Sequence, residues 1–197
     1  MSLLDKLIGE VISPESEAAR RRARQRAQAR AEPHDWLALV LEQHLKIDAA
    51  FCAVLRAPGP ASRRAALKSL TILLTAHASA EETVLYPALL RGGRRAQAMA
   101  GYREQAQAKI RIANLEYLDP AAPQFLRELH HIRDAVAHHA YEEENGRLLE
   151  LKQRAVPEQA RLTQRFQQEF ERYIRRAPAA QPAAGGQVAG PPPALQT

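Results

Sequence analysis

Residues 67–87 read LKSLTILLTAHASAEETVLYP. Leu67, Leu70, Leu74, His77, Glu81 and Leu85 follow one another at spacings of 3, 4, 3, 4 and 4, which puts them on one face of a helix. An apolar stripe thus runs into a histidine and, one turn later, into a carboxylate. Two other stretches repeat the pattern. Leu37, Leu41, His44, Asp48, Phe51 and Leu55 form one stripe, and Phe125, Leu129, Ile132, Val136, His139 and Glu143 form the other. Three core-facing stripes that each contain His-x-x-x-acid predict a helical bundle with a polar centre.

The punctuation between these stretches supplies the connections. Asp35 is placed to cap a helix over about 36–56, and Ala57-Pro58-Gly59-Pro60 breaks it. The helix over about 63–90 ends at Arg91-Gly92-Gly93-Arg94, a third covers about 95–118 and stops at Asp119-Pro120, and a fourth covers about 122–154. Gly146 weakens the last third of that helix. Pro157 opens a fifth, to about Arg176, with Leu162, Phe166, Phe170 and Tyr173 on one side. Short loops between four long helices predict an all-α, up-down-up-down four-helix bundle. The expected division is an amphipathic and basic helical arm over 1–33, the bundle over 34–154, a packing helix over 155–176 and a disordered Ala/Pro/Gly tail over 177–197. Within the arm, residues 3–12 read as a short amphipathic helix, and Ser13 is placed to cap a second helix from Pro14 to about Ala31 that lacks an apolar stripe and reads as solvated or partly disordered.

Apolar residues make up 46% of the chain, enough for a packed core, and no run of them is long and uncharged enough to cross a bilayer. The N-terminus lacks a signal-peptide layout, and the single cysteine, Cys52, excludes an internal disulfide framework; both favour a cytoplasmic protein. Six arginines, Arg20, Arg21, Arg22, Arg24, Arg26 and Arg30, stand in residues 18–31 with no acid among them, whereas residues 34–176 hold 21 basic and 17 acidic residues, a mild +4. Arg20 to Arg30 therefore offer a weak contact to an anionic surface. No aromatic interleaving or DNA-reading motif accompanies them, so specific nucleic-acid binding is not expected. Docking of the arm through residues 3–12, onto the bundle or onto a partner subunit in a homodimer, is an alternative. No glycine-rich phosphate loop or nucleophile elbow occurs.

Carboxylates on the inner face of a bundle are costly unless compensated, and several close together repel. A multivalent cation removes both difficulties. His and acid one turn apart on one helix can both serve a single ion. A mixed nitrogen and oxygen donor set suits iron, manganese or zinc, and is too nitrogen-rich for calcium.

The segment His77 to Pro87, with its HxxxEExxLYP spacing, resembles the corresponding segment of hemerythrin-like (HHE cation-binding) domains, and His139-Ala-Tyr-Glu-Glu143-Glu144 resembles their fourth-helix segment. The resemblance covers about residues 34–154. It implies a four-helix bundle holding non-haem iron, mono- or dinuclear, that meets O2, peroxide or NO, with zinc and manganese ranked below iron. It carries His44, His77, Glu81, His139 and Glu143 over as ligands, with Glu81 and Glu143 as bridging candidates. Asp48 joins them from its stripe, as a ligand or as an acceptor orienting a histidine.

The third helix departs from the family pattern, which expects a histidine there. Gln105 stands in that place, on a stripe with Tyr102, Lys109, Ile112 and Glu116. An inward Lys109 would replace the charge of one metal ion, so a modified site is expected. Tyr86, Tyr102 and Tyr141 lie near the ligand level and read as packing or as hydrogen-bond donors to the centre. Glu82 and Glu144, and the stripe His131, Asp134, His138 and Glu142, read as solvated. Carrier, sensor and enzyme share such a ligand set, so the sequence leaves these open. The competing reading is a metal-poor helical scaffold or interaction protein on a degenerate bundle.

Overall fold

The computed structural model describes residues 15–177. The amphipathic stretch 3–12, Ser13, Pro14 and all but the first residue of the expected tail lie outside them. Among the described residues the only regular secondary structure is helical. We number the helices α1 (Glu17–Gln28), α2 (Trp36–Arg56), α3 (Pro60–Ala80), α4 (Tyr86–Arg91), α5 (Arg95–Leu115), α6 (Pro123–Glu142) and α7 (Val156–Arg176). A π-helical turn, Glu81–Leu85, joins α3 to α4 without a break, and a second, Glu143–Arg147, prolongs α6. A 3-10 stretch, Leu149–Gln153, leads to α7.

The turns fall where the chain's breakers stand. Asp35 caps α2 by accepting the Ala38 N–H at 2.7 Å. Pro60, Pro123 and Pro157 occupy first-turn positions of their helices, where a missing N–H costs nothing. Gly146 lies inside the second π turn with extended φ, and the helix expected to run to 154 gives way there.

α2, α3 with α4, α5 and α6 form the bundle. On α3 and α5 the partners run in opposite order: Arg64 reaches the Glu116 carbonyl, and Glu82 meets Lys109 and Tyr102. α7 packs along α2 and α3. Ala76 and Ala80, both fully buried, keep that face of α3 thin, and Phe166 and Leu162 fill the contact. Trp36 pins the start of α2 to α7, its Nε1–H donating to Gln159 and its backbone N–H to the Thr163 hydroxyl.

The core is two apolar clusters with a polar layer between them. One contains Trp36, Leu37, Leu41, Leu85, Leu89, Leu148 and Phe166, and the other Phe51, Leu67, Leu74, Ile112, Phe125 and Ile132. His44 follows Leu41 of the first and precedes Ile47 of the second, and His77 follows Leu74 and precedes Ala80. Apolar residues thus flank the histidines above and below.

The arm corrects one expectation. The helix over 17–28 is docked rather than solvated, and Ser16, not Ser13, caps it. Ala23 and Ala27 are fully buried against the bundle, and their spacing of four, continued from Ala19, is the only stripe it needs. Ala23→Leu should overpack this contact and lower the free energy of unfolding by about 1–3 kcal/mol, measured by urea denaturation. Unchanged stability would mean that α1 does not pack in solution.

Candidate metal centre

Four buried residues come together in the polar layer: His44 from α2, His77 from α3, and Glu81 and Glu143 from the first positions of the two π turns. One donor atom from each lies within 4.8 Å of the others, the one such His/acid grouping among the described residues. His44 Nε2 is 3.3 Å from Glu143 Oε2, and His77 Nε2 is 3.4 Å from Glu81 Oε1. His44 Nε2, Glu81 Oε1 and Glu143 Oε2 are buried and have no hydrogen-bond partner. Orphaned polar atoms in a dry core are costly, and three that converge on one point fit a cation.

His139 stands on the other side of the same carboxylates, its Nε2 3.8 Å from Glu81 Oε2 and 3.4 Å from Glu143 Oε1. The Tyr86 hydroxyl lies among these atoms, 2.9 Å from Glu143 Oε1, 3.2 Å from Glu81 Oε2 and 3.3 Å from His139 Nε2. The Gln105 amide donates to that hydroxyl at 2.8 Å and also to Glu81.

Each histidine is oriented through its Nδ1. Glu144 holds His44 at 2.9 Å, Gln43 holds His77 at 2.9 Å, and Glu104 holds His139 at 2.6 Å. This leaves every Nε2 directed inward, the usual way a protein fixes a metal-binding imidazole. Glu144 is itself gripped by Arg24 of α1 through bonds of 2.7 to 3.2 Å, and Glu104 by the buried Arg147 at 2.6 and 2.9 Å. Glu144→Ala would release both the His44 ring and the arm. Cation affinity should fall about 10- to 100-fold, read by competition with a coloured chelator; an unaltered affinity would deny Glu144 that role.

Without a cation, protons supply the charge. Burial opposes a charged His44, but the adjacent Glu143 and Glu144 carboxylates prevail and raise it to about 9. Burial likewise opposes a charged His139, and Glu143, Glu104 and Glu81 raise it to about 10. Burial and the neighbouring His44 push His77 well below the usual imidazole range. Burial and the Glu143 charge raise Glu81 to about 7. Burial acts against the Glu143 anion too, yet His139 and His44 hold it far below the ordinary carboxylate range.

Several expectations need correcting. Asp48 is exposed and paired with Arg133 at 2.9 Å, because Ile47 and Phe51 take the inner face beyond His44. Lys109 does not face the ligand carboxylates; its ammonium bonds both oxygens of Glu82 at the bundle's edge, at 2.7 and 2.8 Å. Gln105 does face them. Tyr102 is half-buried, donates to the Glu82 carbonyl and packs edge-on against Tyr86. Glu144 is buried, not solvated. His131 and Asp134 are exposed, whereas His138 is half-buried and bonds Glu15. The sequence reading missed Gln43, Glu104, Arg147 and Arg24. The first lies immediately before His44 on an apolar face; the others join segments far apart in the chain.

A cavity of about 320 Å³ adjoins the centre, and His44, His77, Gln105, His139, Arg24 and Lys109 are among the residues that line it. No helix among the described residues is long and apolar enough to cross a membrane.

The chain is similar to a protein named DNA nickase from Nostoc sp. (strain PCC 7120 / SAG 25.82 / UTEX 2576), with 30% identity over 117 residues. The match takes in 59% of this chain but 32% of the relative, so the chain spans about a third of that protein's length. No solved structure matches the chain. The family described as the hemerythrin HHE cation binding domain matches residues 18–151, a range that takes in the docked α1 as well as the bundle. With a match over more than half its length, and with the paired His and Glu residues gathered in its core, the chain belongs to the hemerythrin HHE cation-binding domain family.

Proposed function

We propose that the protein binds non-haem iron, in a centre of one or two ions, and uses it to bind or sense O2, peroxide or NO. The observation that carries this reading is the convergence of His44 Nε2, Glu81 Oε1 and Glu143 Oε2, buried and without partners, beside His77. Two imidazoles and two carboxylates leave open coordination positions on iron, and iron so held binds small oxygen and nitrogen ligands directly. The residues of the chain orient the donors, flank them with apolar clusters on either side and give small molecules a place in the adjoining cavity.

The test is anaerobic loading of the purified full chain with Fe(II), then desalting, elemental analysis and optical spectra before and after O2, azide or NO. Retained iron with ligand-sensitive near-ultraviolet bands supports the reading. A folded protein that retains no iron would favour the metal-poor scaffold instead. Retained iron that is indifferent to all three ligands would sink the sensing part alone.

A further inference from the structure

The carboxylates of the centre use their oxygens differently. Glu81 Oε1 and Glu143 Oε2 turn toward His44 and His77 and have no hydrogen-bond partner. Glu81 Oε2 and Glu143 Oε1 turn toward His139 and are engaged by the chain itself, through Tyr86 and Gln105. Two sides of one cluster, with similar donor atoms, thus differ in what satisfies them.

The engaged side is built in detail. Tyr86 is fully buried, and its hydroxyl both accepts from Gln105 and donates to a carboxylate. α5 is shaped around it. A Cβ on Gly101 would lie 2.6 Å from the Tyr86 ring and 2.9 Å from its hydroxyl, so only glycine leaves room for the tyrosine to reach this far. One residue on, Tyr102 braces the ring edge-on with centroids 5.0 Å apart. A turn further, Gln105 supplies the amide. A hydroxyl hydrogen-bonded to both carboxylate oxygens and near His139 Nε2 stands where an ion bound by those three atoms would have to sit.

We propose that the centre holds one cation, between His44, His77, Glu81 and Glu143, and that the Tyr86 hydroxyl and the Gln105 amide take the place of a second. The proposal rests on the cation reading above and narrows it. His139 is then not a ligand. It is held by hydrogen bonds between Glu104 and the Tyr86 hydroxyl, and Tyr86 links it to the carboxylates that bind the ion.

The test counts ions. The full chain is titrated anaerobically with Co(II) and separately with Fe(II), desalted and analysed for metal per chain, alongside the double variant Tyr86→Phe, Gln105→His. Circular dichroism and thermal melting check that the variant folds. The expected result is one ion per wild-type chain and two per variant chain. The wild-type Fe(III) form should also give the electron paramagnetic resonance of a magnetically isolated ion. Two ions in the wild type would overturn the proposal and leave the cation reading intact. One ion in a folded double variant would overturn the role given to Tyr86 and Gln105. No ion in the wild type would overturn the cation reading itself, and this proposal with it. The wild-type count decides even where the variant does not fold.

Discussion

Lowering the pH from about 8 to about 6 should weaken cation binding by roughly a thousandfold. His44 must give up its proton to bind a metal, and Glu143 and Glu144 hold that proton up to about pH 9. Below 9, therefore, each binding event expels a proton, and affinity falls about tenfold per pH unit on going down. Glu81, raised to about 7 by burial and by the Glu143 charge, adds a second proton to be expelled below neutrality. The sign is fixed: protons and cation compete, so binding weakens with acid and strengthens with base. Titration calorimetry in buffers of different ionisation enthalpy would count the protons released, about one at pH 8 and more than one at pH 6. An affinity that ignored pH across this range would mean that the ion does not bind His44 and Glu81.

Glu143→Ala should lower cation affinity by more than about 100-fold, beyond the 10- to 100-fold loss expected for an orienting partner. The residue contributes an orphaned oxygen to the His44 side and an acceptor to Tyr86, so its loss opens both sides of the layer. His44 would also lose the anion that helps keep it charged in the metal-free state. Thermal melts give a direct readout. An added cation at about 100 times its Kd should stabilise the wild type by ~2.7 kcal/mol, and the same concentration should stabilise the variant by less than ~0.4 kcal/mol. Equal stabilisation of both proteins would move the binding site elsewhere.

How much of this was legible in the sequence depends on how far apart the interacting residues lie. Leu67, Leu70, Leu74, His77, Glu81 and Leu85 share a single helical run, so their period exposed a buried face, and every one of them is buried. The same holds for Phe125, Leu129, Ile132 and His139. Asp48 failed because a stripe at mixed spacings of three and four has a choice at each step. Ile47, three residues after His44, is the inward member, and Asp48 turns to Arg133. Glu144 failed for a different reason. Next to a ligand on a regular helix it would face outward, but α1 lies over it, and the docking of an Ala- and Arg-rich helix leaves little trace in hydropathy. Lys109 could be placed on the correct helix but not on its partner, because Glu82 belongs to a face that only the packed bundle brings near. Gln105 was found by the register of its stripe with the family pattern. What it touches, the hydroxyl of Tyr86, required coordinates.

The two π turns carry a consequence of their own. In each, the carbonyl of the metal-facing glutamate accepts from the fifth residue on: Glu81 from Tyr86 and Glu143 from Leu148. A π turn is an α-helix with one residue more than its pitch requires. Each therefore resets the angular phase of its helix immediately after the glutamate. The residues before the reset aim His77 or His139 inward; those after it aim Tyr86 back at the same point, or send Arg147 across to Glu104. The π turn between Glu81 and Tyr86 is consequently as much a part of the centre as side-chain identity. Closing it to an ordinary α-turn with every residue kept would swing all that follows by about 100°, and Tyr86 would leave the polar layer with no change in its own identity. Loss of one residue there, such as the exposed Thr83, would restore the α-turn and return Tyr86 to nearly the same face. Among relatives of this chain, a single-residue gap in that span is therefore compatible with the same centre.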